Sequence, residues 1–162
     1  MTDMKNKANI LILLVFLCTL YACNSNVIFD KNKQIENAVW KSSDVIKFTV
    51  PLTDSVQACN FFINIRNSAE YQYSNIFLFI KTFYPNGKIS IDTVECYLAD
   101  KEGKWLGKRS GKVIDNRILF RRAVQFRQTG TYSFEFEQAM RVDELRGVED
   151  FGIRIEKFET KK

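Results

Sequence analysis

The chain has 162 residues, of which 46% are hydrophobic and 14% aromatic, so it is long enough for one domain with a real core. Its 24 basic and 19 acidic side chains are interleaved, and the net charge of +5 does not favour a nucleic-acid groove. The sequence contains no histidine, which excludes Ser/His/Asp and Cys/His catalysis and HExxH metal sites. We therefore expect no enzyme, no metal and no cofactor, and a carboxylate-based hydrolase is the least favoured class.

The first 22 residues are typical of a lipoprotein signal peptide. Lys5 and Lys7 precede an apolar run of 12 residues, Ile10 to Tyr21, which is too short to span a bilayer but fits a secretory signal. The following Leu20-Tyr21-Ala22-Cys23 resembles a lipobox. We expect cleavage before Cys23 and attachment of lipid, including a palmitate-type acyl chain, to that cysteine. The alternative is an ordinary signal peptide with a chance cysteine.

The segment after the cleavage site is polar. Residues 24–38 contain few aromatic side chains and predict a flexible tether between the lipidated Cys23 and the domain. The sequence thus divides into a signal peptide (1–22), a lipidated cysteine with its tether (23–38) and one folded domain (39–162).

Hydrophobic residues in the domain alternate with a period of two, which is typical of β-strands. This alternation is clear over 60–66 and 132–137, whereas residues 76–83 carry apolar side chains on both faces and predict a central strand covered on both sides or beneath a loop. Residues 142–146 followed by Gly147 predict one short helical turn. We expect an all-β, jelly-roll-like antiparallel sandwich of seven or eight strands, with a closed barrel as the alternative.

Two cysteines remain in the domain once the signal peptide is removed. Cys59 and Cys96 both fall on the apolar side of their predicted strands, so their side chains could meet in the core. A disulfide between them is possible in an oxidising compartment, and the alternative is two buried thiols.

Three stretches of the domain go beyond a generic sandwich: RNSAEYQYSN (66–75), DTVECYLADKEGKWLG (92–107), and EQAMR (137–141) through GIRIEK (152–157). With the lipobox upstream, they resemble the gliding-motility lipoprotein H (GldH-like) family of the Bacteroidetes. The resemblance implies a non-enzymatic outer-membrane lipoprotein whose partners are other proteins of the gliding or type IX secretion machinery. Because no acidic cluster follows Cys23, the resemblance favours the periplasmic side of that membrane.

Arg66, Tyr71 and Tyr73 are candidate partner-binding residues, because Arg and Tyr carry much of the binding energy at protein interfaces. The alternative is that the tyrosines cap the sheet edge while Arg66 forms a surface ion pair with Glu70.

Trp105, Met140 and Arg141 are further candidates. Trp105 follows a polar turn, where it could be an exposed platform or a core residue, and Met140 with Arg141 lies at a bend after a regular strand. A carbohydrate- or peptidoglycan-binding β-sandwich is the alternative function. Such a module needs several exposed rings in one groove, whereas a complex subunit needs an apolar patch or an exposed edge strand.

Overall fold

The computed structural model describes residues 26–53 and 57–159, and within them the chain is built from antiparallel β-strands. The strands are β1 (Val27–Gln34), β2 (Val39–Lys41), β3 (Ile46–Leu52), β4 (Ala58–Ser68), β5 (Asn75–Phe83), β6 (Ile89–Tyr97), β7 (Lys108–Ser110), β8 (Val113–Gln125), β9 (Gly130–Gln138), β10 (Glu144–Arg146) and β11 (Val148–Lys157). A single 3-10 turn, Glu36–Ala38, separates β1 from β2 in this part of the chain.

The strands of the described residues form two large sheets and one small one. The order is β1-β11-β4-β8-β7 in the five-stranded sheet and β3-β9-β5-β6 in the four-stranded sheet, while β10 and β2 pair separately. Rings from the two large sheets meet between them: Phe61 lies 5.0 Å from Phe134, and Phe136 lies 4.9 Å from Phe151, centroid to centroid. The predicted all-β sandwich is therefore confirmed.

In the core strands, the period-two hydrophobic pattern arises because alternate side chains are buried between the sheets. Every second residue of β3 is buried, and the same holds for β9 from Tyr132 onward. The small sheet covers one side of this core, where the fully buried Trp40 packs 5.0 Å from Phe151 and donates its indole N–H to the Asp44 carbonyl. Aromatic burial thus links all three sheets.

The number of strands exceeds the predicted seven or eight because several strands are too short or too polar to show alternation. The described residues contain eleven, and three of these have only three residues. The predicted helical turn at 142–146 is wrong: Glu144–Arg146 is β10, with buried Leu145 between two exposed residues, and it pairs with β2. Gly147 does end this element, with a φ of 88°, by turning the chain into β11.

The predicted tether is also wrong over most of its length. Val27–Gln34 is β1, which pairs along β11 at the edge of the five-stranded sheet. Its side chains are mostly exposed, although Phe29 is buried. The position of β1 therefore depends mainly on backbone hydrogen bonds, which the hydrophobic pattern of the sequence does not reveal. Within the described residues, the first strand therefore begins at Val27. The signal peptide and Cys23 lie outside the described residues.

Candidate partner-binding surface

Three of the predicted aromatic residues form one cluster. The Tyr71 ring lies 5.7 Å from the ring of Tyr73 and 6.5 Å from that of Trp105. Tyr71 is only 5% exposed, and its hydroxyl donates a hydrogen bond to the Asn75 carbonyl at 3.0 Å. Burial, with a smaller contribution from Tyr73, raises the pKa of this phenol. Tyr71 is therefore a packing residue that supports Tyr73. Contrary to the prediction, its ring is too buried to contact a partner directly.

Tyr73 also lines a groove together with the two candidates that follow β9. This Met140 groove, of about 490 Å³, is lined by Tyr73, Phe77, Ala139, Met140, Arg141 and Val142. The Phe77 backbone N–H points to the Met140 sulfur at 3.3 Å, and the Ala139 N–H donates to the Phe77 carbonyl at 2.8 Å. The structure thus brings Tyr73 together with the adjacent Met140 and Arg141, which lie far from Tyr73 in the sequence.

A buried amide holds the shape of the Met140 groove. The Gln138 side chain is 3% exposed and donates to the Val142 carbonyl at 2.8 Å. Its own amide oxygen accepts a hydrogen bond from the Met140 N–H at 2.9 Å. One side chain therefore satisfies two backbone groups of the bend, which fixes the conformation of residues 139–142.

The groove continues into an apolar surface on the outer side of the four-stranded sheet. We call this the β5–β6 face; its large exposed side chains are Phe77 (36%), Phe79 (47%), Ile89 (53%), Ile91 (71%) and Tyr97 (60%). The prediction that residues 76–83 are covered on both sides is therefore wrong, because only one face of β5 is buried. Strand β6 is the last strand of its sheet, so its backbone edge is unpaired among the described residues.

Arg66 lies apart from these residues, on the outer side of the five-stranded sheet. Its guanidinium contacts Asp115 at 2.7 Å and Asp150 at 2.9 Å, in place of the ion pair with Glu70 considered from the sequence. The carboxylate of Asp150 raises the pKa of Arg66, while burial raises the pKa of Asp150 against the opposing effect of Arg66. Arg66 and the tyrosines consequently do not form the single recognition patch that their spacing suggested.

Cys59 and Cys96 do not form the disulfide considered from the sequence. Cys59 lies in β4 near Phe61, whose ring contacts Phe134, and Phe134 pairs with Thr82, the eighth residue of β5. Cys96 instead pairs with the second residue of β5. Six residues of strand correspond to about 20 Å, far beyond the distance a disulfide can bridge. Both thiols are buried, and no bond joins them in the described structure.

The sequence missed most of the β5–β6 face. The unbroken apolar run of β5 was the available signal, since its outward Phe77 and Phe79 are as hydrophobic as the inward residues. Elsewhere in the described ranges, no group of three or more Asp, Glu or Cys side chains is arranged to hold a metal ion. Among the same residues, no helix has the length and apolarity needed to cross a membrane.

Comparison with known proteins agrees with the resemblance noted in the sequence. Residues 27–155 match the GldH lipoprotein family. The chain is 31% identical to the gliding motility lipoprotein GldH homolog of Christiangramia forsetii, covering 95% of this chain and 98% of the relative. It is 30% identical to the gliding motility lipoprotein GldH of Flavobacterium johnsoniae, covering 90% and 94%.

Among solved structures, the Yersinia pseudotuberculosis-derived mitogen overlaps 83% of this chain and 90% of its own, at 3% identity and a TM-score of 0.33. An overlap this loose carries no argument about function. The two relatives, in contrast, extend over nearly the whole chain, and the family match covers almost all of the described strands. This chain belongs to the GldH lipoprotein family.

Proposed function

We propose that the protein is a non-catalytic, lipid-anchored subunit of the gliding-motility or type IX secretion-linked machinery, held at the periplasmic side of the outer membrane. Two observations support this role: the family to which the chain belongs and the lipobox that ends at Cys23. The β1 strand begins four residues after Cys23, so the domain would lie close to the membrane that the lipid enters.

The β5–β6 face is the observation that carries the partner-binding part of the proposal. Lys81, Thr93 and Glu95 are interleaved with the apolar side chains of this face. Several large exposed apolar side chains that share one sheet face, with polar neighbours around them, still mark a candidate interaction site. Here the patch adjoins an unpaired edge strand and the Met140 groove, so a partner protein can add backbone hydrogen bonds at β6 and bury Phe79 and Ile91 at the same time. Trp105 and Arg141 lie in or beside this region and are proposed as secondary contacts.

Cross-linked affinity purification from the native outer membrane tests this surface. We expect Phe79→Lys with Ile91→Lys to abolish recovery of gliding or type IX secretion proteins, because two charges would be buried at the interface. Leu119→Lys is the matched control, since Leu119 is 46% exposed and lies on β8 of the other sheet. Equal recovery with both variants would exclude the β5–β6 face. Recovery of glycan or peptidoglycan fragments in place of proteins would favour the carbohydrate-binding alternative.

The anchor is tested separately. We expect Cys23→Ala to remove the acyl label and release the protein from the membrane fraction, because the acyl chains are then absent and the apolar run of 12 residues is too short to span a bilayer. Cys96→Ala is the control, as that thiol is buried in the domain. A Cys23→Ala protein that stays in the membrane fraction without acyl label would contradict the proposed anchor.

A further inference from the structure

A second concave site lies between the two large sheets, on the opposite side of β5 and β6 from the β5–β6 face. This inter-sheet cleft has a volume of about 480 Å³, within the range of small-molecule pockets. Its walls come from β4 and β8 of one sheet and from β5, β6 and β9 of the other. None of its lining residues belongs to the Met140 groove, so the two sites are independent.

The cleft exists because β8 is irregular where it forms the wall. Phe61 pairs with Arg121, whereas the adjacent Phe62 pairs with Leu119, so β8 carries an extra residue at this point. A second extra residue follows before Val124. Ala123 adopts a positive φ of 51°, and its N–H donates to the Asn60 side chain at 3.2 Å. Bulges of this kind re-aim side chains, and they are frequent next to binding sites.

The irregularity brings two consecutive side chains into the cleft. In a regular strand neighbours point to opposite faces, yet Phe120 and Arg121 both line this site. The Arg121 guanidinium lies over the Phe120 ring, 4.9 Å from its centroid. Strand β7 pairs only with the first three residues of β8, so this part of β8 is at the sheet edge and the cleft is open.

The base of the cleft consists of aromatic rings. Phe61 packs against Phe120 at 5.5 Å and against Phe134 at 5.0 Å, and Tyr132 packs against Phe126 at 5.1 Å. The Tyr132 hydroxyl is already used, since it donates to the Gln128 carbonyl at 3.0 Å. The base therefore offers ring surface to a ligand, which suits a hydrocarbon group.

The rim of the cleft is basic. Lys88, Arg121 and Arg127 lie there with one acidic residue, Asp92. Asp92 reaches across from β6 and pairs with Arg121 at 2.8 Å, with both side chains at least one-third exposed. Ion pairs with this exposure contribute little to stability, so the anionic group of a ligand can take the place of the Asp92 carboxylate beside Arg121.

We infer that the inter-sheet cleft binds a monoacyl anion, with its hydrocarbon chain on the aromatic base and its carboxylate or phosphate at Arg121. An apolar base below a rim with three cations and one acid matches this amphiphile better than a neutral sugar, which needs hydrogen-bonding groups around an exposed ring. The same chemistry is present in a free fatty acid and in an anionic lysophospholipid. The inference depends only on the cleft and does not require the proposed partner surface.

Photo-crosslinking tests the inference on the full-length protein in phosphatidylcholine vesicles. A diazirine-labelled palmitate is added and activated, and the modified peptides are mapped by mass spectrometry. We expect label on β8 residues 120–127. Unlabelled palmitate and lysophosphatidylglycerol should compete for this label, and the relative strength of the two competitors shows whether a carboxylate or a phosphate is preferred. The uncharged monoacylglycerol with the same chain should compete about tenfold less well, the loss expected for one charge-assisted contact.

Matched variants distinguish the cleft from general adhesion of lipid. Arg121→Gln should reduce labelling about tenfold, and Lys88→Gln should reduce it to a smaller extent. Arg122→Gln is the control, because the Arg122 guanidinium lies over Phe158 and does not line the cleft. Circular dichroism establishes that each variant is folded.

Three outcomes would overturn the inference. The first is labelling that is spread over the surface or concentrated on the β5–β6 face. The second is equal labelling of the Arg121→Gln and Arg122→Gln proteins. The third is competition by a neutral oligosaccharide but not by palmitate, which would assign the cleft to a sugar.

Discussion

The Asn32 side chain occupies the space beside Gly152 where a Cβ atom would lie: a Cβ built on Gly152 would clash with the Asn32 amide oxygen and would come within 2.5 Å of the Lys31 carbonyl oxygen. The two residues face each other across β1 and β11. On the far side of β11, Asn64 pairs with the same glycine, and its amide donates to the Asn32 oxygen at 3.3 Å. The missing side chain of Gly152 thus lets two amides meet over the strand and helps to attach β1.

Gly152→Ala should destabilise the protein by about 1–3 kcal/mol, because the added methyl group meets backbone as well as a side chain. Chemical denaturation followed by circular dichroism measures this loss. Asn32→Ala in the Gly152→Ala background should recover part of it, since two of the three nearest atoms belong to the Asn32 amide, whereas the contact with the Lys31 carbonyl remains. A Gly152→Ala protein as stable as the wild type would contradict the close packing of β1 on β11.

Replacing Gln138 with Met should loosen the Met140 groove without unfolding the core. The change leaves the Val142 carbonyl and the Met140 N–H without their partner, at a cost of about 1–3 kcal/mol. Hydrogen exchange should become faster at residues 139–142 and stay unchanged in β4. Gln125→Met, at an exposed position, is the control and should have no such effect. Unchanged exchange at Met140 would show that the amide does not hold the bend.

Removing Arg66 should destabilise the protein increasingly as the pH rises. Asp150 is mostly buried, its pKa is already above the usual 3.8, and loss of the neighbouring cation would raise this pKa further. The folded state then binds a proton more tightly than the unfolded state, so stability is retained below pH of about 3.8 and lost as the carboxyl ionises.

At neutral pH we expect Arg66→Ala to cost about 1–3 kcal/mol. Asp150→Asn is the companion variant, and in its background the Arg66→Ala change should cost less and depend less on pH. Denaturant titrations between pH 3 and 7 complete the cycle. Additive costs for the two changes would mean that the pair is not coupled.

The buried thiol of Cys96 should make the protein less stable in alkali. Burial, with a smaller contribution from Glu95, raises the pKa of Cys96 from 9.0 to about 12. Between these values the unfolded chain releases the thiol proton while the folded chain retains it, so the free energy of unfolding falls as the pH rises from about 9 to about 12. Cys96→Ala should show a shallower fall over the same range. Identical slopes for the two proteins would contradict the burial of this thiol.

The local hydrophobic pattern was sufficient to predict a strand where one face of that strand is buried and the other is exposed to solvent. The alternation around Phe134 and Phe136 reflects burial against the opposite sheet, and Gly147 marks a chain reversal because few other residues adopt its positive φ. The family resemblance rests on short stretches of adjacent residues together with their order, which is why it could be stated before the fold was known.

The local hydrophobic pattern failed where strand pairing, or the burial of a strand face, depends on distant parts of the chain. Strand β1 is polar and is held by backbone bonds to β11, more than 110 positions away, and Glu144–Arg146 has helix-compatible residues but pairs with β2. The apolar residues of β5 could not reveal that only one of its faces would be covered. The Arg66 partners and the inter-sheet cleft likewise required the registers of strands far apart in sequence.

The sequence by itself determined the all-β class, the family and the expected lipid anchor, because each depends on residues that are adjacent or evenly spaced along the chain. The tertiary structure alone decided which strands form edges, which aromatic side chains remain exposed and where a bulged strand opens a cleft. These features depend on long-range backbone pairing and on sheet-to-sheet packing. Neither can be predicted from the hydrophobicity of a single segment.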